Sequence, residues 1–138
     1  MIPEIYKRVW CVDFEYSHKP GGFLEPLCMV AREIHSGELV RVWLGSSPPE
    51  CPIPFGKSDL LVAYLASAEI GCFLVLGWSL PENVLDLYAE FSNKTCGEPL
   101  PFGRGLIGAL RYFGLSTIDQ KYKKSMRDLA MRGGEYTA

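Results

Sequence analysis

The apolar residues in the first third of the chain fall into short runs separated by polar turns. Residues 9–14 read V-W-C-V-D-F, and residues 27–31 and 39–44 are two further runs of β-prone side chains on either side of H-S-G-E. A nearly continuous apolar run is typical of a strand that is buried on both faces. The pattern therefore predicts three antiparallel strands, of which residues 9–14 form the central one.

The middle of the chain changes from irregular to periodic. Residues 45–56 are rich in proline, which lacks the N–H donor that helices and interior strands need. We divide the apolar stretch that follows into a strand at residues 61–64 and a helix at residues 67–76. Helical spacing predicts that this helix turns four positions toward the core, namely Ile70, Phe73, Leu74 and Gly77.

The next part of the chain predicts a short apolar run, a loop and a helix. The apolar run covers residues 84–87, the loop residues 93–105 and the helix residues 105–113, with Gly114 where a left-handed terminal residue is needed. This helix is expected to pack on the sheet through one stripe, formed by Leu106, Ala109, Leu110 and Phe113.

A last helix is predicted near the end of the sequence. Thr117 to Gln120 fits a capping box, and the pair Gly133-Gly134 would end the helix. Its apolar face consists of Tyr122, Met126 and Leu129. The order of the predicted elements is three antiparallel strands, then strand, helix and strand, then helices. This order predicts an α/β fold with a mixed sheet under a helical layer.

Composition limits the classes of protein to consider. With 138 residues and 48% apolar composition, the chain is expected to form a single domain over residues 1–138. Its net charge of −2 excludes a generally basic nucleic-acid-binding domain, so any contact with DNA must be local. The five cysteines contain no C-x-x-C pair and are interpreted as reduced and mostly packing thiols. No leader or membrane segment is recognised, which predicts a cytoplasmic location and no membrane partner.

Two acidic residues interrupt the first apolar run. Asp13 and Glu15 are two positions apart, so a strand places both carboxylates on the same side of the sheet. Such a pair is costly to bury unless it is protonated, solvated or neutralised by a cation. Mg²⁺ and Mn²⁺ favour carboxylate oxygens, and a pair of such ions can catalyse phosphoryl transfer. Asp13 and Glu15 are therefore candidate metal ligands, and simple solvation past the strand end is the alternative.

The wider pattern is similar to a known family. V-D-F-E-Y, the following strands, A-E-x-x-C-x-L-x-L-G-W and P-E-N-V-L-D-L-Y together resemble the 3′→5′ proofreading exonuclease domain of family A DNA polymerases, in the form found in phages. The resemblance covers nearly the whole chain and implies a ribonuclease H-like fold, Mg²⁺ or Mn²⁺ as cofactor, and the 3′ end of single-stranded DNA as substrate. It also implies a polymerase domain as partner, on the same or another chain.

The second motif of that family is altered here. The family has an Asn at the end of a strand and a metal-binding Asp on the next helix, whereas this chain has Leu65 and Glu69 at those places. We expect Glu69 to be the third catalytic carboxylate, and a solvated glutamate at a helix start is the alternative. Asp86 matches an Asp that is usually structural in the family. It is expected to cap the following helix and is also considered as a metal ligand.

The third motif of the family, Tyr-x-x-x-Asp or His-x-x-x-Asp on a late helix, does not occur in the sequence. The chain is therefore interpreted as the front part of a longer polymerase, truncated at its C-terminal end, and a natural short paralogue is the alternative. Tyr16 and Tyr64 are expected to bind substrate by stacking on unpaired bases, while Trp10 is assigned to the core. The basic residues of the last helix are interpreted as an ordinary solvated face, and contact with a phosphate backbone is the alternative; they are Lys121, Lys123, Lys124 and Arg127.

Three functional hypotheses follow from these observations. The first is a metal-dependent 3′→5′ DNA exonuclease that uses Asp13, Glu15 and Glu69, although the chain alone is not assured of activity. The second is a degenerate nuclease-like domain that serves as a binding or assembly module, which Leu65 and the absent third motif favour. The third is an exoribonuclease that trims RNA ends.

Overall fold

The computed structural model describes residues 4–132 and shows an α/β protein with one mixed sheet. Its strands are β1 (Arg8–His18), β2 (Leu24–Glu33), β3 (Leu39–Trp43), β4 (Asp59–Ala63) and β5 (Val84–Asp86). Its helices are α1 (Ala66–Leu76), α2 (Leu87–Lys94), α3 (Leu106–Tyr112) and α4 (Gln120–Arg132). The predicted α/β class with a mixed sheet is confirmed.

The sheet has the order β3-β2-β1-β4-β5, so β1 is central as predicted. β1, β2 and β3 pair antiparallel, while β4 runs parallel to β1 and β5 runs parallel to β4. The β1–β4 pairing ends at Cys11 and Val62, although β1 continues to His18. The second half of β1 therefore has an edge that β4 does not cover.

The main core lies between β1, β2 and α1. Phe14 contacts Phe73 edge to face at 5.8 Å, and Phe73 contacts Trp78 in the same way at 5.4 Å. Such aromatic pairs add to the free energy gained from burial. Trp10 is 2% exposed and belongs to this core, as predicted, whereas Val9, Leu60 and Val62 form a smaller cluster apart from it.

The prediction of which residues of α1 are buried is only partly correct. Phe73 is fully buried and Ile70 is half-buried, but Leu74 is 62% exposed and Gly77 is exposed. Cys72 and Glu69 take the buried positions instead. The reason is that α1 crosses the sheet with the face centred on Phe73 and Cys72, so Leu74 points into solvent.

The later helices differ from the sequence pattern in three ways. α2 was expected only as a helix that Asp86 caps, without predicted bounds, since residues 84–87 showed only an apolar run. α3 has the predicted position, and Gly114 is left-handed with φ 67°, but Leu106 and Phe113 remain largely exposed. α4 begins at Gln120 after Asp119, whose Oδ1 accepts the Lys121 N–H at 2.6 Å, so Asp119 replaces Thr117 as the cap.

The predicted apolar face of α4 is exposed: Tyr122 is 58%, Met126 45% and Leu129 38% exposed. The predicted end of this helix at Gly133-Gly134 lies outside the described residues. Cys72 is buried and Cys28 and Cys51 are half-buried, whereas Cys11 and Cys96 are exposed, which agrees with the interpretation of the cysteines as mostly packing thiols. Within residues 4–132 no helix is long and apolar enough to cross a membrane.

Candidate functional site

The candidate site lies where β1 extends beyond its pairing with β4. Val12 and Phe14 are buried in the core, and Asp13 between them points to the opposite side, where it is accessible to solvent. Glu15 is half-buried, and the strand pairing shifts between Glu15 and Tyr16. The period of two along β1 thus separates the carboxylates from the core residues, as the sequence predicted.

α1 adds a third carboxylate to this place. Glu69 is 4% exposed, and its Oε2 accepts a hydrogen bond of 3.0 Å from the backbone N–H of Phe14. That N–H faces the edge of β1 that β4 leaves uncovered, so Glu69 satisfies a buried donor that would otherwise have no strand partner. The alternative interpretation of Glu69 as a solvated helix-start residue is wrong.

The three carboxyl groups influence one another electrostatically. Burial raises the pKa of Glu69 to about 8, and the negative charges of Asp13 and Glu15 contribute to this rise. Partial withdrawal from water raises the pKa of Glu15, with a further contribution from the charge of Asp13. Protein atoms around Asp13 likewise withdraw it from bulk water and raise its pKa, although one side stays open to solvent. The site therefore concentrates negative charge that it does not fully neutralise.

Basic residues of α4 face this acidic group. α4 contacts β1. The positive charge of Lys123 opposes the rise in the pKa of Asp13 and Glu15, and Arg127 opposes the rise in that of Glu15. Lys123 and Arg127 are one helical turn apart and share a face of α4. Sequence reasoning assigned them to a solvated surface; their spacing indicated a common face, but only the packing of α4 on β1 identifies what that face meets.

Asp86 has a structural role at the neighbouring strand end. Its Oδ1 accepts the N–H groups of Leu65 and Tyr88 at 3.2 and 2.9 Å, and its Oδ2 accepts the Ala66 N–H at 3.1 Å. The predicted cap of the following helix is confirmed, and the same side chain also holds the start of α1. Both oxygens are thus engaged with backbone, and metal binding by Asp86 stays a prediction.

The two tyrosines predicted to bind substrate lie on different elements. Tyr16 on β1 packs against the core and contacts His18 edge to face at 5.8 Å. Tyr64, at the end of β4, donates its hydroxyl hydrogen to the Arg104 carbonyl and contacts Tyr88 at 5.8 Å. Stacking on bases by either ring stays a prediction.

Leu65, where the resembling family has Asn, adopts an unusual backbone conformation. Its φ of 73° makes it the single non-glycine residue with positive φ among the residues described, and it is 43% exposed. Asn tolerates this left-handed conformation better than Leu does. Leu65 therefore holds a backbone conformation that has a steric cost for its side chain.

The side chains of this site determine which metal ion it could hold. Within residues 4–132, no three His, Cys, Asp or Glu side chains are grouped as a ready metal site. The donors nevertheless suit a hard divalent cation, because Asp13, Glu15 and Glu69 offer only carboxylate oxygens and their mutual repulsion would be relieved by it. Binding requires side-chain rotamers other than those in the structure.

Comparisons with known proteins add no family. No protein-family model matches the chain, and no curated protein matches it. Functional inference therefore rests on the site itself.

Proposed function

We propose that the chain is a metal-dependent 3′→5′ DNA exonuclease domain of the ribonuclease H-like type, related to the proofreading domain of DNA polymerases. The observation that carries this proposal is the hydrogen bond from the Phe14 N–H to Glu69, which brings a carboxylate of α1 to the strand that bears Asp13 and Glu15. A sheet with a central β1, antiparallel neighbours on one side and parallel strands on the other supports the fold assignment.

In this proposal Asp13, Glu15 and Glu69 would hold Mg²⁺ or Mn²⁺. The cation, when bound, supplies positive charge at the phosphodiester that is cleaved. Glu69 is fixed by the Phe14 N–H, so one of its oxygens has a defined direction, and it must give up its proton to act as a ligand because its pKa is about 8. Tyr16 and Tyr64 would position the unpaired 3′ end.

The test is shortening of a 5′-labelled single-stranded DNA by the purified chain in Mn²⁺, together with Mn²⁺ binding measured by electron paramagnetic resonance. Asp13→Asn, Glu15→Gln and Glu69→Gln should each reduce the rate by about 100-fold or more. Glu82→Gln, an exposed loop residue, is the matched control. A labelled RNA strand tested in parallel separates a DNA exonuclease from an exoribonuclease.

A second candidate is a nuclease-like domain that has lost catalysis and acts as a binding or assembly module. The left-handed Leu65 and the absence of the family's third motif from the sequence favour this alternative. Absence of both Mn²⁺ binding and strand shortening would select it. Mn²⁺ binding without strand shortening would mean that the chain has the metal site but only part of an active centre.

A further inference from the structure

The carboxylates of the proposed nuclease site have the same sign of charge as the phosphates of its DNA substrate. Asp13 and Glu15 bring negative charge to one edge of β1, Glu69 adds to it when ionised, and the chain has a net charge of −2, so a DNA phosphate approaching this place is repelled. A strand can be held there only if positive charges lie beside the carboxylates. The positive charges that the structure brings to this place come from α4.

We propose that Lys123 and Arg127 bind the phosphodiester backbone of single-stranded DNA beside Asp13 and Glu15, and so position the strand for the nuclease. This inference rests on the proposed function. α4 packs against β1, and the spacing of four residues places both side chains on one face of α4. The charge of Lys123 acts on Asp13 and Glu15, and that of Arg127 acts on Glu15. They are positioning residues, since the reaction itself is assigned to the carboxylates.

Both side chains are available for a phosphate. In residues 4–132 the ion pairs closer than 4 Å are Arg8–Asp59, Lys19–Glu25 and His35–Glu33, and neither Lys123 nor Arg127 takes part in them. Both residues are also exposed. A guanidinium and an ammonium one turn apart can contact neighbouring oxygens of a phosphodiester strand, Arg in bidentate form and Lys as a point charge.

The salt dependence of binding gives a direct test. A 5′-fluorescein-labelled oligothymidylate is titrated with the full chain at increasing NaCl, in EDTA so that the strand is not shortened, and fluorescence anisotropy is measured. For single strands, each phosphate contact contributes a slope of about −0.7 in log K against log salt, so K123M/R127M should flatten the slope by about 1.4. Binding at low salt should also become weaker.

The matched control is K121M/R132M, which removes one lysine and one arginine from the same helix. At about 100° per residue, Lys121 and Arg132 both point away from the Lys123–Arg127 face. The control should keep the slope of the unmodified chain. Equal flattening by both double variants, an unchanged slope in K123M/R127M, or no binding by the unmodified chain at low salt would each overturn the proposal. Circular dichroism establishes that the variants are folded.

Failure of this inference can be separated from failure of the proposed function. If K123M/R127M shortens DNA in Mn²⁺ with an unchanged KM and kcat, the two residues do not position the strand and the nuclease assignment stands. If the unmodified chain binds no Mn²⁺, the nuclease assignment fails even when the slope difference is observed. A raised KM with a preserved kcat in K123M/R127M supports both the nuclease assignment and the positioning role of these two residues.

Discussion

Glu69 and Phe14 are joined by a hydrogen bond of 3.0 Å between a buried carboxylate and a backbone N–H at the open edge of β1. The bond favours the ionised form of Glu69, but burial and the charges of Asp13 and Glu15 oppose it, and the balance raises the pKa to about 8. At low pH the neutral Glu69 can accept the Phe14 N–H without repulsion, whereas at high pH the ionised Glu69 is repelled by Asp13 and Glu15. Its titration should therefore be visible in the stability of the protein.

Replacement of Glu69 by Gln should change how stability depends on pH. Because the folded-state pKa is above the ordinary value of 4.5, the stabilisation by protonated Glu69 is present below pH 4.5 and is lost as the pH rises to about 8. Glu69→Gln keeps an oxygen acceptor for the Phe14 N–H and removes the charge. Between pH 4.5 and pH 9, the free energy of unfolding of Glu69→Gln should rise by about 2–4 kcal/mol relative to that of the unmodified chain.

Urea unfolding at these two pH values without metal provides the measurement. Glu82→Gln is the control and should leave the difference between the two pH values unchanged. The same pH dependence in Glu69→Gln and the unmodified chain would show that another group titrates.

Glu33 should have the opposite pH dependence. Its Oε1 accepts the Val9 N–H at 3.0 Å, while its Oε2 accepts the Ser36 N–H and hydroxyl at 2.7 Å each. These bonds outweigh burial and lower its pKa to about 2, so the stabilisation is present above pH 4.5 and is lost as the pH falls to about 2. Glu33→Ala should cost about 2–4 kcal/mol at pH 7 and much less at pH 2.

Chemical denaturation of Glu33→Ala at both pH values tests this prediction, with the exposed neighbour Glu38→Ala as control. An equal loss at pH 7 and pH 2 would mean that packing, and not the ionised carboxylate, accounts for the effect.

Asp86 should be more important for folding than its exposure indicates. It accepts N–H groups at the starts of both α1 and α2, and loss of a helix cap costs about 0.5–2 kcal/mol for each helix. Asp86→Ala should therefore destabilise the protein by about 1–4 kcal/mol. Asp128→Ala, in the exposed middle of α4, is the control, and a loss no larger than in this control would contradict the double cap.

The backbone at Leu65 provides a comparison of two substitutions. Both Leu65→Gly and Leu65→Ala remove the side chain, but only Gly adopts φ 73° without steric cost. At an ordinary position Ala is the more stable of the two by about 0.4–1 kcal/mol. Here Leu65→Gly should be more stable than Leu65→Ala by about 1 kcal/mol, measured by thermal or urea unfolding. The ordinary order would show that Leu65 is not constrained to the left-handed region.

The sequence could predict the parts of the fold that depend on local pattern. β1 with its buried residues, the cap at Asp86 and the left-handed Gly114 each depend on a few neighbouring residues, and each is present. The exposure of Leu74 and the path of α4 depend on how helices cross the sheet, which one sequence does not specify. The same limit applies to the site. Asp13 and Glu15 were found from strand period, but the proximity of Lys123 and Arg127 depends on tertiary packing.

Asp13 provides the most direct separation of metal binding from stability. Surrounding protein raises the pKa of Asp13, and its charge raises the pKa of Glu15 and of Glu69. Asp13→Ala should thus abolish Mn²⁺ binding yet leave the midpoint of unfolding unchanged or slightly higher, because it removes repulsion and no core contact. It should also lower the pKa of Glu69 from about 8, which a carbon-detected NMR titration of that carboxyl group can follow.

Asp128→Ala is the control, because it removes one negative charge from an exposed residue of α4. A variant of Asp13 that fails to fold would assign a structural role to this residue. A folded Asp13→Ala that still binds Mn²⁺ would place the cation elsewhere. If the pKa of Glu69 falls while Mn²⁺ binding is lost, the two carboxylates belong to one electrostatic site, because a single substitution on β1 then changes both a ligand and the protonation of α1.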